Sequence, residues 1–144
     1  MAHISLNHPK LTLEGAEAVL AAAKVQAVRM SKPMNIAVVD DGGFLLAFAR
    51  MDGAKPASIE IAINKAHAAA IRRQNTGPAR SGEEVSVLLS LGLAIGSRAH
   101  QTPIRGGLML EVNGECVGGI GVSAGTEDED TEVARAGVAA FVKG

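Results

Sequence analysis

The sequence predicts an α+β domain with an antiparallel sheet of four to five strands and helices packed on that sheet. Two pairs of short β-compatible runs are each joined by a tight turn, at Asp41-Gly42-Gly43 and at Asn113-Gly114. Such turns connect antiparallel neighbours. Segments with apolar residues at helical spacing precede, separate and follow these hairpins. Hairpins joined by helices favour an antiparallel sheet over alternating β-α-β units.

The first half of the chain contains one helix and the first hairpin. After an irregular lead-in over residues 1–9, Thr12 is suited to be an N-cap. Apolar residues then recur at helical spacing, which predicts an amphipathic helix to about Met30. Asn35–Asp40 is a compact β run, and Phe44–Arg50 is its predicted hairpin partner.

A second helix is predicted after the turn that follows the first hairpin. Pro56 suits the first position of that helix. The buried stripe is predicted at four positions, namely Ile59, Ile63, Ala66 and Ala70. On this assignment Lys65 and His67 lie away from the centre of the stripe.

The region between the second helix and the second hairpin is predicted to hold a shorter helix. A capping box, Ser81-x-x-Glu84, is expected to start it, and Gly96 is expected to end it. Residues 97–105 are predicted to be a loop. The second hairpin then pairs Leu108–Val112 with Cys116–Val122.

A closing helix is predicted over residues 127–142. Thr126 and Glu129 fit a capping box, in which each side chain bonds the backbone N–H of the other residue. The helix begins directly after the second hairpin, so the turn between them brings Ser123 and Asp130 close together. We therefore expect one wall of any site here.

Composition limits the classes of partner. The chain of 144 residues is expected to form one domain over 1–144. A net charge of −1 and 2% aromatic residues give no reason to expect nucleic acid or an anionic membrane. No apolar segment approaches the roughly 20 residues that span a bilayer, and no secretory signal is apparent, so a cytoplasmic protein is expected. The single cysteine, Cys116, is expected to be a buried thiol.

One motif match does not have the context that it needs. Gly119-x-Gly121-x-x-Ala124 has the spacing of the dinucleotide-binding fingerprint. That fingerprint requires a following strand and an acidic residue about 20 positions later, and the chain ends there. Four acidic residues, Glu127 to Asp130, also occupy the helix start where a phosphate would bind. Binding of a dinucleotide is therefore not expected.

The histidines do not form a zinc pattern, because no pair has i, i+4 spacing and no cysteine cluster accompanies them. No resident metal ion is therefore predicted. His67 is the one histidine on a predicted helix near other polar groups. Two interpretations of it stay open: a surface or interface histidine, and a haem ligand or general base.

Three charged residues also have two interpretations each. Lys65 is either a solvated helical lysine or a cation for a substrate anion, and a buried lysine can act as a base or nucleophile. Arg50 and Asp52 flank a turn at a strand end, where functional side chains often cluster, but a local ion pair would explain them equally well.

Several motifs together resemble the GlcG/HbpS family, also described as haem-binding or PduO C-terminal-like domains. The motifs are IAVVDDGG at 36–43, RMDGA at 50–54, NKAHAAA at 64–70, Gly106-Gly107, and GGIGVSAG at 118–125 followed by Asp130. The resemblance covers essentially the whole chain. It implies a profilin-like or PAS-like α+β fold, assembly into a symmetric homo-oligomer, and haem as a possible cofactor.

Two functions from different classes follow. The first is a protein that binds a small molecule, either haem or a small organic acid, in a pocket between the sheet and the helix that carries Lys65. His67 would be the axial ligand, and Lys65 and Arg50 would pair with carboxylates. The second is a cofactor-independent isomerase, tautomerase or lyase acting on a small oxo- or hydroxy-acid, with Lys65 and His67 as the catalytic residues. The expected ligand-binding set is Arg50, Asp52, Gly107, Ser123 and Asp130.

Overall fold

A computed structural model describes residues 2–143 and contains four α-helices and a four-stranded antiparallel sheet. The helices are α1 (Leu13–Arg29), α2 (Ile59–Arg72), α3 (Val87–Gly96) and α4 (Glu127–Lys143). The strands of the sheet are β1 (Asn35–Asp40), β2 (Leu45–Arg50), β5 (Gly107–Val112) and β6 (Glu115–Ser123), and a small ribbon is formed by β3 (Arg80–Ser81) and β4 (Glu84–Val85). The predicted α+β class is confirmed. Met1, in the predicted lead-in, and Gly144 lie outside the described residues.

The two hairpins join side by side to make the sheet. The strand order is β2-β1-β6-β5, and every neighbouring pair is antiparallel. The central contact is between β1 and β6, where Asn35 pairs with Ser123 and Asp40 pairs with Gly118. The ends of the two hairpins, which come from distant parts of the sequence, therefore lie in one continuous surface.

Helices α1 and α4 cover one face of the sheet and form the larger core. Small residues of α1 such as Ala16, Ala23 and Ala27 are fully buried, which lets α1 approach both α4 and the sheet closely. The sheet contributes branched side chains to this core, including Ile36, Val38, Leu110, Ile120 and Val122. No helix in the described part of the chain is long and apolar enough to cross a membrane.

Helix α2 covers the opposite face, and there the contact is between backbones. A Cβ atom on Gly121 would overlap the carbonyl oxygen of Ala62, and one on Gly119 would overlap that of Ala66. A Cβ on Gly107 would overlap the carbonyl oxygen of Lys65. Glycine is therefore required where the helix crosses β5 and β6, because any side chain would hold the two elements apart.

The local turn and cap signals of the second hairpin and the closing helix are confirmed. Asn113 and Gly114 both have positive φ, 49° and 80°, as a type I′ turn requires. Thr126 N donates to Glu129 Oε1 at 3.0 Å, and Glu129 N donates to Thr126 Oγ1 at 3.2 Å, which completes the capping box. Cys116 is a buried free thiol.

The predicted start of the third helix is wrong. Ser81 and Glu84 pair with each other across a two-residue turn in the β3–β4 ribbon, and Gly82 in that turn has a φ of 67°. Helix α3 begins later, with Ser86 as its N-cap, whose Oγ accepts from Leu89 N at 3.1 Å. Gly82 can adopt the positive φ that a tight hairpin turn needs, so this segment forms a hairpin where a helix start was predicted.

The predicted buried stripe of α2 is rotated from the observed one. Lys65 belongs to the buried face, together with Ala62, Ala66 and Ala69, while Ile59 and Ile63 are only half-buried. The apolar pattern gave the wrong buried face because the side of α2 that packs on the glycines of the sheet accepts mainly small side chains. Lys65 is also buried there, because it pairs with Asp130, which is distant in sequence.

We expect Gly121→Ala to lower the free energy of unfolding by about 1–3 kcal/mol, because the added methyl group must displace the backbone of α2. Gly77→Ala is the matched control, since a Cβ at that position would meet nothing within 4 Å. Urea denaturation of both variants and the wild type measures the difference. Equal midpoints for Gly121→Ala and the wild type would contradict the close contact.

Candidate functional site

Lys65 and Asp130 form an ion pair in the interior. Lys65 Nζ lies 2.9 Å from Asp130 Oδ2 and donates to the Val122 carbonyl oxygen at 2.8 Å. The Lys65 side chain is only 1% exposed and that of Asp130 is 3% exposed. The second carboxylate oxygen of Asp130 accepts from Gly125 N at 2.9 Å. The pair thus fastens α2, β6 and the start of α4 to one another.

Two glycines at the start of β5 make room for this pair. Gly106 has a φ of 120°, and a Cβ at that position would come within 2.9 Å of Lys65 Nζ and of the Asp130 Cβ. Gly107 packs under the Lys65 backbone and donates its N–H to Thr76 Oγ1 at 2.9 Å. The paired glycines therefore allow a lysine to be buried at this position, and no space for a ligand separates them from α2.

The electrostatic environment of Asp130 reflects its burial. Desolvation raises the pKa of Asp130 above its ordinary value, while the Lys65 ammonium and the Gly125 N–H both favour the ionised carboxylate. An ammonium and a carboxylate that satisfy each other in the interior form a strong structural link, and removing either one leaves a buried charge.

Three further polar residues form a row at the other end of α2, on the face of the sheet that α2 covers. Asn35 pairs with Arg50 on one side and with Ser123 on the other. Asn35 is fully buried and donates from Nδ2 to the Lys55 carbonyl oxygen at 2.9 Å. Within residues 2–143, Asn35 Oδ1 is the buried side-chain oxygen that lacks a hydrogen-bond partner. Arg50 and Asp52 are exposed.

His67 lies on the flank of α2 opposite Lys65, beside the first hairpin, and this flank is called the outward side of α2 below. Its Nδ1 donates to the Gly43 carbonyl oxygen at 2.8 Å in the turn between β1 and β2. A carbonyl can only accept, so Nδ1 carries the hydrogen and Nε2 keeps its lone pair in the neutral ring. A Cβ on Gly43 would overlap the imidazole, so glycine at this position is part of the seat for His67. The ring of His100 lies beside it, with centroids 4.4 Å apart.

A surface groove of about 270 Å³ adjoins these two rings. It is lined by Glu60, Ile63 and Asn64 of α2 and by Arg98 and His100 from the segment after α3. The ring of Phe44, the residue that follows Gly43, is 72% exposed. The groove thus combines the His100 imidazole and the Arg98 guanidinium around one shallow depression.

The structure divides the sequence-derived site residues into separate groups. It brings Lys65, Asp130, Gly107 and Ser123 together, because Ser123 directly follows the residue whose carbonyl accepts from Lys65. His67 is two positions from Lys65 on α2, which turns it by about 200° to the opposite side.

The remaining two predicted residues lie apart from both groups. Arg50 is separated from Ser123 by one intervening strand, about 10 Å across the sheet, and Asp52 lies in the turn beyond it. The predicted pocket between the sheet and α2 is instead filled by backbone contact, for the steric reason given above.

Sequence reasoning missed three residues of this region: Gly43 and His100, which contact His67, and Arg98, which lines the groove. Each of them is brought to α2 by a long-range contact, so spacing along the chain carries no signal of it. The one available signal was the second glycine of Gly42-Gly43, since a paired glycine in a short turn can mark a close approach.

No group of three or more metal-ligating side chains comes together among residues 2–143. His67 and His100 are two described histidines whose rings lie side by side. A ligating histidine commonly donates its other ring N–H to a backbone carbonyl, which is the arrangement of His67 with Gly43.

Comparisons with known proteins identify the class of protein that this fold and site define. A family model described as "Haem degrading protein HbpS-like" matches residues 11–139. The chain therefore belongs to the HbpS-like family. Protein GlcG of Escherichia coli K12 is 35% identical over 114 residues, which cover 78% of this chain and 81% of GlcG.

Two solved structures have the same fold. The crystal structure of protein ORFY from Klebsiella pneumoniae superposes with a TM-score of 0.88 at 28% identity, covering 99% of this chain and 97% of ORFY. The crystal structure of a PduOC–haem complex superposes with a TM-score of 0.79 at 26% identity, covering 92% of this chain and 95% of that chain. The predicted GlcG/HbpS membership and fold class are thereby confirmed.

We expect Lys65→Met to lower the free energy of unfolding by about 3–5 kcal/mol, because it leaves the Asp130 carboxylate buried without its cation. Lys65→Met combined with Asp130→Asn should recover part of that loss, since the amide can still accept from Gly125 N. Denaturation by urea at neutral pH measures both variants.

Lys32→Met is the matched control for this comparison. Lys32 pairs with Glu129 at 3.3 Å, but its side chain is half exposed, so we expect a much smaller loss of stability than for Lys65→Met. If Lys65→Met were no more destabilising than Lys32→Met, the buried pair would not be the link described here.

Proposed function

We propose that this protein binds haem on the outward side of α2, with His67 Nε2 as the axial ligand. The single observation that supports this most is the seat of His67. The Gly43 carbonyl holds Nδ1, the glycine leaves space for the ring, and the lone pair of Nε2 remains available.

The surroundings of His67 suit a flat ligand with acidic groups. The exposed ring of Phe44 offers an apolar surface against which a porphyrin could pack. Arg98 lines the groove and would pair with a propionate carboxylate of haem. His100 stands beside His67 and either contacts the macrocycle or supports the first ring.

The size of the groove limits how haem would lie. A groove of about 270 Å³ is too small to enclose a whole haem, so one edge of the macrocycle would remain outside this subunit. When bound, haem would supply an iron that changes oxidation state or binds small gaseous ligands. The residues of this chain would hold the iron, orient the ring and pair with its carboxylates.

Relatives support the same proposal. The matching family model is described as haem degrading, and a structural neighbour at 26% identity is a haem complex. Both facts describe those proteins. They support the proposal for this chain only together with the arrangement of His67 and Gly43, because a shared fold by itself does not determine function.

A small organic acid is the second candidate ligand. The groove volume suits a small molecule better than a complete macrocycle, and Arg98 beside Asn64 offers donors for a carboxylate. The catalytic alternative, an isomerase or lyase, has less support. Its predicted proton-transfer residues are Lys65 and His67. Lys65 is buried and engaged by two acceptors, and it lies about 200° around α2 from His67, so the two residues do not face one ligand.

Titration of the purified protein with hemin tests the proposal. We expect a saturable shift of the Soret band for the wild type, and affinity lowered by at least about tenfold in His67→Ala, because the axial ligand is lost. His3→Ala is the control, since His3 is exposed and lies in the N-terminal lead-in. Equal affinity of His67→Ala and the wild type would contradict the assignment.

A second measurement separates the two ligands. If hemin gives no Soret shift, but a small hydroxy- or oxo-acid raises the melting temperature of the wild type and not of Arg98→Met, the groove binds an organic acid instead. If neither ligand has an effect, the outward side of α2 is not a binding site for these classes.

A further inference from the structure

A second groove, of about 450 Å³, lies between strand β5 and helix α4. Strand β5 is at the end of the order β2-β1-β6-β5, so one of its edges is not paired within the sheet. The volume of this groove is within the range of about 300–1,000 Å³ that small-molecule sites occupy. None of its lining residues belongs to the outward side of α2, so this groove is separate from the one beside His100.

The groove has two distinct ends, because α4 runs alongside β5 in the same direction. At the start, a Cβ on Gly106 would lie 2.9 Å from the Asp130 Cβ in the first turn of α4. At the other end, Val112 of β5 and Phe141 of α4 line a common depression. Each level of the helix can therefore be matched to a level of the strand.

Two exposed side chains of opposite charge line the groove at different levels. Arg135 belongs to α4, and Glu111 lies near the end of β5. Glu111 also lines the depression at Phe141, six residues after Arg135. Six residues of α-helix rise about 9 Å, so the cation and the anion are separated by about that distance along the groove. Within residues 2–142 neither of them forms an ion pair, so both charges are available to a ligand.

The lining between the two charges is mainly apolar. Leu108 contributes to it from the strand, and Val138 and Phe141 contribute to it from the helix. Arg135 and Val138 are three positions apart, so they lie on the same side of α4. A ligand that fits here has an apolar middle and charged ends.

Asn75 adds a hydrogen-bond donor to the groove. Its Oδ1 accepts from Met109 N at 3.0 Å, which fixes the orientation of the side-chain amide. Because that contact uses the oxygen, the Nδ2 group keeps two N–H donors for a carbonyl oxygen of a ligand. The groove therefore offers a cation, an amide donor and an anion.

From these observations we infer that the groove between β5 and α4 binds a short apolar peptide with free termini. The peptide carboxylate pairs with Arg135, the ammonium pairs with Glu111, and a carbonyl oxygen between them accepts from Asn75. An extended chain spans at most about 3.3–3.6 Å per residue, so a tripeptide of about 10 Å matches the separation of the charges. In this orientation the peptide runs antiparallel to β5.

Ligands with a single charge complement this groove less well. A fatty acid would satisfy Arg135 but would place an apolar tail against Glu111, and desolvating an unpaired carboxylate is costly. An apolar amine would leave the Arg135 guanidinium without a partner in the same way. A single amino acid carries both charges but is too short to reach both ends.

Isothermal titration of the full chain with the peptide Ala-Leu-Ala tests this inference. We expect the wild type to bind this peptide, and to bind its C-terminal amide and its N-acetylated form at least about tenfold more weakly, because each blocked peptide loses one charge-assisted contact. The dipeptide Ala-Leu should also bind more weakly, because it reaches only one of the two charges.

Two variants assign the peptide ends to their partners. Arg135→Met should weaken binding of Ala-Leu-Ala by about tenfold and leave binding of the C-terminal amide unchanged, because that peptide has already lost the group that Arg135 recognises. Glu111→Gln should behave in the same way toward the N-acetylated peptide. Arg29→Met and Glu17→Gln are the matched controls, since both residues are exposed on α1 and lie outside the groove.

Three results would overturn the inference. They are no binding of Ala-Leu-Ala at millimolar concentration, equal affinity for the free and blocked peptides, and an equal effect of Arg135→Met on Ala-Leu-Ala and on its amide. The linear ω-aminooctanoate has both charges but no carbonyl group between them, so binding as tight as that of Ala-Leu-Ala would contradict the assignment to a peptide. Hemin does not enter this test, so the peptide site and the haem proposal can fail separately.

Discussion

The backbone contact between α2 and strands β5 and β6 is the constraint on which the rest of the structure depends. Glycines at positions 107, 119 and 121 let the helix lie directly on the sheet, where its carbonyl groups occupy the space that side chains would fill. This closeness leaves room for alanines alone on most of the inward face of α2. It also leaves one position, at the edge of the contact beside Gly106, where a long side chain can extend to Asp130. The buried pair thus depends on the glycines, and the position of α4 depends on the buried pair.

The same contact assigns different roles to the two sides of α2. Backbone contact fills the space between α2 and the sheet at Gly107, Gly119 and Gly121. Lys65 therefore links elements of the fold, and its burial argues against proton transfer to a substrate that enters from solvent. The outward side is the accessible one, because Ile63 and Asn64 line a groove there and His67 lies beside His100 of the same groove. His67 is held there by the turn of the first hairpin, and that turn is in place because β1 is paired with β6. The fixed position of the His67 imidazole is therefore a consequence of the sheet, because the sheet holds the turn that carries the Gly43 carbonyl group.

Sequence reasoning succeeded where the physical cause is local. Asn113-Gly114 requires positive φ, and Thr126 with Glu129 satisfies a helix start, so both features could be read from a few adjacent residues. It failed where one local signal competed with another, because Gly82 favoured a hairpin at the position of the capping box that was predicted at Ser81.

The site was predictable only in part. Ser123 and Asp130 are near each other because a turn joins their elements, but the partners of Lys65 and His67 are contributed by segments 65 and 24 positions away. Such pairs are fixed by strand order and helix packing, which no periodicity in the sequence encodes.

The central claim is that α2 has an inward structural side and an outward ligand-binding side. A crystal structure determined after incubation with hemin tests it most directly. The account predicts iron bonded to His67 Nε2, a macrocycle next to Phe44 and Arg98, and an unchanged contact between Lys65 and Asp130. Iron bonded elsewhere, or a ligand inserted between α2 and the sheet with the Lys65–Asp130 pair broken, would contradict the account.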